Sequence, residues 1–179
     1  HFMTKRFDRD GMRHHHVQTL SAIAHFPMSV PTEFRTYEQY LATVDALHLG
    51  YDAMEEAFRR IAFNIAIDEC DDHTKNFSFM MNEDGTWHIT PAYDLTFTID
   101  VNAPTYVNRH SMTIGGKNDA ITKTDLLRFA RMNDIKDAES IIADVAQAIG
   151  KFPEYARNCG IEEKWSEQVS RLILCDSEH

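Results

Sequence analysis

Apolar residues recur at helical spacing through most of this chain. The strongest run is Met54, Ala57, Phe58, Ile61, Ala62, Ile65 and Ala66, which at intervals of three and four residues predicts one long buried helix ending near 66. Upstream, Thr36-x-x-Gln39 has the form of a capping box. It opens a helix whose stripe is Tyr40, Leu41, Val44 and Leu47, with a turn over 48–51. Leu20, Ile23 and Ala24 predict a shorter helix over 18–26, broken by the prolines at 27 and 31. Three further helices are expected over 124–133, 138–149 and 161–175, with a short one over 152–157. Thr122 or Thr124 suits the cap of the first, Asp137 that of the second, and Gly150 the C′ position that closes it. Ile141, Ile142, Val145 and Ile149, then Trp165, Val169, Leu172 and Ile173, form their core stripes.

The period changes to two over 76–80 and again over 86–90, with Asn82-Glu83-Asp84-Gly85 between them, which reads as a β-hairpin. Residues 2–8 and 13–17 read as short strands around a turn at Asp10-Gly11. Met112 to Ile114 reads as another strand, followed by a turn at Gly115-Gly116. Residues 95–99 look extended, and 102–111 are polar with no clear period, the candidate mobile part. The expected fold is therefore α+β, mostly helical, in one domain over 1–179, since neither an internal repeat nor a low-complexity linker interrupts the chain.

Charge narrows the function. Eighteen basic against twenty-eight acidic residues give a formal charge of -10, which repels a nucleic-acid backbone. The 43% apolar content suits a packed core, and no apolar run approaches the roughly 20 residues of a membrane span. Cys70, Cys159 and Cys175 have no paired spacing, consistent with a reducing cytoplasm. His14-His15-His16 alternate faces on a strand, so at most two share a metal; a structural role is the simpler reading.

Chemistry concentrates in Asp71-Asp72-His73-Thr74-Lys75-Asn76, between the long helix and the hairpin. The return strand of that hairpin leads to Pro91-Ala92-Tyr93-Asp94, so a third carboxylate comes back toward the six. An acid five residues before a carboxamide is the spacing of a kinase catalytic loop, and a second acid supplies the other oxygen ligand for Mg²⁺. On that spacing Asp71 is the base for an acceptor hydroxyl, and Asn76 and Asp94 are the metal ligands. Lys75 either neutralises charge on the transferred phosphoryl group or pairs with Asp71 or Asp72. His73 either touches the nucleotide or braces the loop; Asn64 and Asp68 brace it or are solvated.

At these residues the chain resembles a known family. Asp71-x-His73-x-Lys75-Asn76-Phe77-Ser78, followed by Thr90-Pro91-x-Tyr93-Asp94, is similar to the C-terminal kinase lobe of the HipA family, serine/threonine kinase toxins of bacterial toxin–antitoxin operons. Lys5-Arg6-Phe7-Asp8-Arg9 resembles the family's hinge strand. Met112 to Lys117 with Ile121-Thr122-x-x-Asp125-Leu126-Leu127 resembles its segment after the metal site. The resemblance implies ATP and Mg²⁺ as cofactors, with Lys5, Arg6, Phe7 and Asp8 at the nucleotide along with His73, Thr74, Lys75, Asn76, Tyr93 and Asp94. It also implies a protein substrate, an aminoacyl-tRNA synthetase, and an antitoxin of the HipB type.

Neither a glycine-rich phosphate loop nor a V-A-I-K-like lysine occurs in 1–179, so an N-terminal lobe, absent or separate, is expected as a further partner. Two other classes share the same residues: a small-molecule or lipid phosphotransferase, and a non-catalytic binding fragment.

Overall fold

The computed structural model describes residues 3–26, 31–99 and 108–175. Two short strands, β1 (Arg9–Asp10) and β2 (Arg13–His14), form an antiparallel ribbon in which Arg9 faces His14. A separate three-stranded antiparallel sheet has the order β3-β4-β5, with β3 at His16–Thr19, β4 at Ser78–Met81 and β5 at Trp87–Ile89. Its central strand carries Phe79, fully buried against Tyr40. The expected hairpin is present. Asp84 Oδ1 accepts from the Thr86 amide (2.9 Å) and hydroxyl (2.7 Å), which closes the turn between β4 and β5.

Seven helices lie among the described residues: α1 (Leu20–Ile23), α2 (Tyr37–Ala46), α3 (Tyr51–Ala66), α4 (Lys123–Met132), α5 (Ala138–Ile149), α6 (Phe152–Asn158) and α7 (Glu163–Cys175). Helix α3 is the centre, packed chiefly on α5 and α2. Ala57, Phe58, Ile61, Ala62 and Ile65 give it one buried face, and Phe58 stacks on Phe129 of α4 at 6.4 Å. The capping box of α2 forms as expected: Thr36 Oγ1 accepts from Gln39 N while Gln39 Oε1 accepts from Thr36 N. A second box, Thr122 with Asp125, opens α4. Among the described residues no helix is long and apolar enough to cross a membrane.

Several expected boundaries move, each for a local reason. Of the strand expected over 2–8, Phe2 lies outside the described residues and 3–8 are not a strand; Arg6 and Asp8 instead pair side by side, and Phe7 turns toward Tyr93. Asp10 is consequently in β1, and the turn falls after it. The strand over 13–17 is split at His15, whose amide donates to Asp8 O (2.9 Å). The helix over 18–26 shrinks to one turn because Gln18 and Thr19 pair with Phe79 and Ser78 in the sheet. Thr113 and Ile114 form only isolated bridges, not a strand. Asp137 precedes α5 without a side-chain cap bond, and Gly150 closes that helix in the right-handed region (φ -58°), so its glycine freedom is unused. The polar stretch 102–111 lies outside the described residues up to 107.

Candidate active site

Helix α3 ends where Asp68 adopts a left-handed backbone (φ 51°), turning the chain into the loop that carries the candidate chemistry. Two tight turns shape that loop. The amide of His73 donates to Asp71 O (2.8 Å), and that of Asn76 donates to His73 O (2.8 Å). The Asn76 side chain then donates through Nδ2 to Asp71 O (3.0 Å), so the carboxamide is oriented by the backbone of the proposed base. From outside, α1 pins the loop: Ser21 N donates to Thr74 O and Leu20 N to Phe77 O.

The two adjacent aspartates have opposite surroundings. The Asp71 side chain is 63% exposed and, among the described residues, pairs with His73 Nε2 at 3.8 Å. Asp72 is wholly buried and accepts from the Tyr37 hydroxyl, from Ser111 N (2.6 Å) and from the His110 ring nitrogen Nδ1 (2.9 Å). Burial presses the His110 pKa down, but the hydrogen bond and charge of Asp72 outweigh it and hold it above the ordinary value. Burial, then the charge of Asp72, keeps Tyr37 neutral well above its usual range. Asp72 is thus saturated with donors. Asp71 is the more exposed of the two carboxylates.

Asp94 returns on the segment after β5 in a left-handed conformation (φ 55°), uncommon for a residue with a Cβ and frequent at sites whose geometry is imposed. Tyr93 holds it in place: its hydroxyl donates to Lys75 O (2.5 Å) and shares a hydrogen bond with Ser78 Oγ (2.5 Å). Burial raises the Tyr93 pKa, so it remains a neutral donor. Phe7 lies against the same ring, centroids 5.8 Å apart.

Asn76, Tyr93 and Asp94 line one cavity of about 290 Å³ between α3, α5 and the loop. Its inner wall adds Asn64, Glu69 and Asp72. Asn64 is 3% exposed, so solvation is not its role, and its Oδ1 has no hydrogen-bond partner among the described residues. Arg59 and Arg60 stand at the same cavity, paired with Asp144 (3.3 Å) and Glu56 (2.7 Å). Asp71, Lys75, Lys5, Arg6, Phe7, Asp8, His73 and Thr74 are not among its lining residues. Of these, Lys5, Arg6 and Lys75 are exposed, Asp8 and His73 half-buried, and Thr74 buried. Lys75 makes no ion pair with Asp71 or Asp72 among the described residues. The donor set of Asn76 and Asp94 suits Mg²⁺, a hard cation that keeps several waters and takes few protein ligands beside substrate phosphates. Groups of three or more His, Cys, Asp or Glu placed for a metal are absent among the described residues, and His16 lies edge-on to Trp87 at 5.5 Å.

A second cavity, of about 310 Å³, lies on the other side of the loop and is lined by Ile65, Cys70, His110, Leu126 and Ile142. Val145 of α5 lines both. Burial lifts the Cys70 thiol to about 12, which makes it unreactive.

Sequence reasoning missed Glu69, Tyr37, His110 and Ser111. None sits at motif spacing, and the partners of Asp72 come from positions as distant as Tyr37 and Ser111. The burial of Asp72 had no signal either.

The family model for the HipA-like C-terminal domain matches residues 1–152. No curated protein matches the chain. Among solved structures, the complex of HipA, HipB and operator DNA from the Shewanella oneidensis MR-1 toxin–antitoxin system contains a similar chain. The match has a TM-score of 0.75 and 19% identity, covering 97% of this chain and 47% of that one. The chain therefore spans about half the length of that protein, and what the two share at this identity is the fold.

Proposed function

The chain belongs to the HipA family through its HipA-like C-terminal domain, and from that premise we propose that it is the catalytic lobe of an ATP-dependent serine/threonine protein kinase toxin. The observation that carries this reading is the meeting of Asn76 and Asp94 in one cavity, with Asp71 exposed five residues upstream and tied to Asn76 by its own carbonyl.

In the proposed reaction the acceptor hydroxyl oxygen bonds to the γ-phosphorus while the bond to the β–γ bridging oxygen breaks and ADP leaves. Asp71 accepts the hydroxyl proton. Lys75, exposed and without an aspartate partner among the described residues, lies on the same loop and offsets charge on the transferred group. Bound magnesium supplies neutralisation of the β- and γ-phosphates, and Asn76 and Asp94 are the residues that would hold it. Phe7 and Tyr93 offer an aromatic wall for the base of the nucleotide.

The protein substrate, an aminoacyl-tRNA synthetase by family likeness, and an antitoxin of the HipB type complete the proposal. A glycine-rich lobe supplied by a separate or preceding segment covers the phosphates. The net charge of -10 leaves operator contact to the antitoxin. The test is transfer of γ-labelled phosphate to protein by the chain combined with its glycine-rich half. Transfer that requires Mg²⁺ and vanishes in Asp71→Gln supports the reading, and an Asp71→Gln variant as active as the parent rejects it. Label found on a metabolite and never on protein favours a small-molecule phosphotransferase.

A further inference from the structure

Among the described residues, the chain after Asp94 does not pair with the catalytic loop through a backbone ladder. It is laced to it by side chains. Glu69 Oε1 accepts from the amide of Asp71 (3.0 Å), while Oε2 accepts from both the amide and the hydroxyl of Thr96, the latter at 3.0 Å. A second lace runs beside it: Thr98 Oγ1 accepts from Cys70 N (2.7 Å) and donates to Asp68 O (3.1 Å). Glu69 is 1% exposed and has no Lys or Arg partner among the described residues, where its charge is compensated by those three donors. A buried carboxylate in that position is costly unless each oxygen is satisfied, and here each is.

We infer that Glu69 is a positioning residue that sets the separation between Asp71 and Asp94, an inference that rests on the kinase reading of those two groups. Glu69 holds the amide of the proposed base with one oxygen. With the other it holds the residue two past the proposed metal ligand. Glutamine cannot replace it, because a carboxamide has one acceptor and presents an NH₂ group where the second is needed. Its oxygen goes to Thr96, which offers two donors, and its NH₂ group is left against the amide of Asp71.

The two ends of the clasp are therefore separable. In Glu69→Gln, amide hydrogen exchange at Asp71 accelerates by about tenfold or more, the worth of one hydrogen bond to a charged group, while Thr96 changes less and α3 keeps its protection. Thr96→Val leaves the buried carboxylate in place and gives the opposite pattern, faster exchange at Thr96 with Asp71 unchanged. In phosphotransfer with the glycine-rich half present, Glu69→Gln lowers kcat with KM for Mg²⁺-ATP unchanged, and Thr96→Val raises that KM.

Exchange that is unaltered in both variants, or accelerated uniformly through α3, overturns the inference; so does a common change in kcat and KM in the two variants. A parent protein that transfers no phosphate defeats the kinase reading, and the exchange pattern still decides whether Glu69 links the two segments.

Discussion

Asp71 and Asp72 are neighbours in the chain and opposites in the fold: one side chain is 63% exposed, the other has no exposure and three donors. Substituting them separates chemistry from stability. Asp71→Asn is expected to change unfolding free energy by no more than about 0.5 kcal/mol, as for other surface positions, while phosphotransfer is lost. Asp72→Ala leaves the Tyr37 hydroxyl, the His110 ring and the Ser111 amide without their acceptor, and costs about 3 kcal/mol or more. Urea titration beside a phosphotransfer assay distinguishes the two; an Asp72→Ala protein as stable as the parent contradicts the network.

His110 makes part of that stability depend on pH. Its folded pKa lies above the ordinary 6.5, so the protonated ring contributes fully below the unfolded value. The contribution disappears as pH rises through the folded value. The urea midpoint should therefore fall as pH rises above 6.5 and through the folded value, and His110→Gln should flatten that slope. An unchanged slope in the variant assigns the dependence to other groups.

Asp94 stands at φ 55°, which asparagine adopts more readily than alanine. Asp94→Asn is expected to keep the stability of the parent and lose Mg²⁺-dependent nucleotide binding. Asp94→Ala loses both, with about 1 kcal/mol of destabilisation from the left-handed backbone. Calorimetric binding and thermal unfolding of the pair give the comparison; equal stabilities argue that the backbone relaxes.

At the start of α4, the Lys117 ammonium, 2.5 Å from Asp125, and the Thr122 amide and hydroxyl hold the Asp125 carboxyl down to about 2. A lowered carboxylate stabilises above its unfolded pKa of 3.8 and ceases to do so as pH falls through the folded one. The α4 cap should survive to below about pH 4 and be lost by about pH 2, and Asp125→Asn should remove that part of the acid transition. Thr122→Ala is expected to cost about 1 kcal/mol at neutral pH, measured by urea titration.

Local signals were legible where they are self-contained. Thr36 and Gln39 cap each other within one turn, and the stripe from Met54 to Ala66 specifies a helix face by itself. The hairpin was legible because Asn82 to Thr86 close their own turn. Family likeness rested on spacing; Asn76 and Asp94 line one cavity, from whose lining Asp71 is absent. What spacing cannot carry is which of two like residues is consumed by distant partners. Asp72 meets Tyr37 from α2 and His110 from beyond the hairpin, and Glu69 meets Thr96, pairings that exist only after the chain has closed. The first strands were misplaced for the same reason: Phe7 finds Tyr93, and Gln18 finds Phe79, across long stretches of sequence.

Val145 faces both voids, the one that holds Asp94 and the one beside Cys70 and His110. Val145 is the residue common to both linings. A larger residue there narrows both chambers together and a smaller one widens both, so no occupant of either space is indifferent to the side chain at 145.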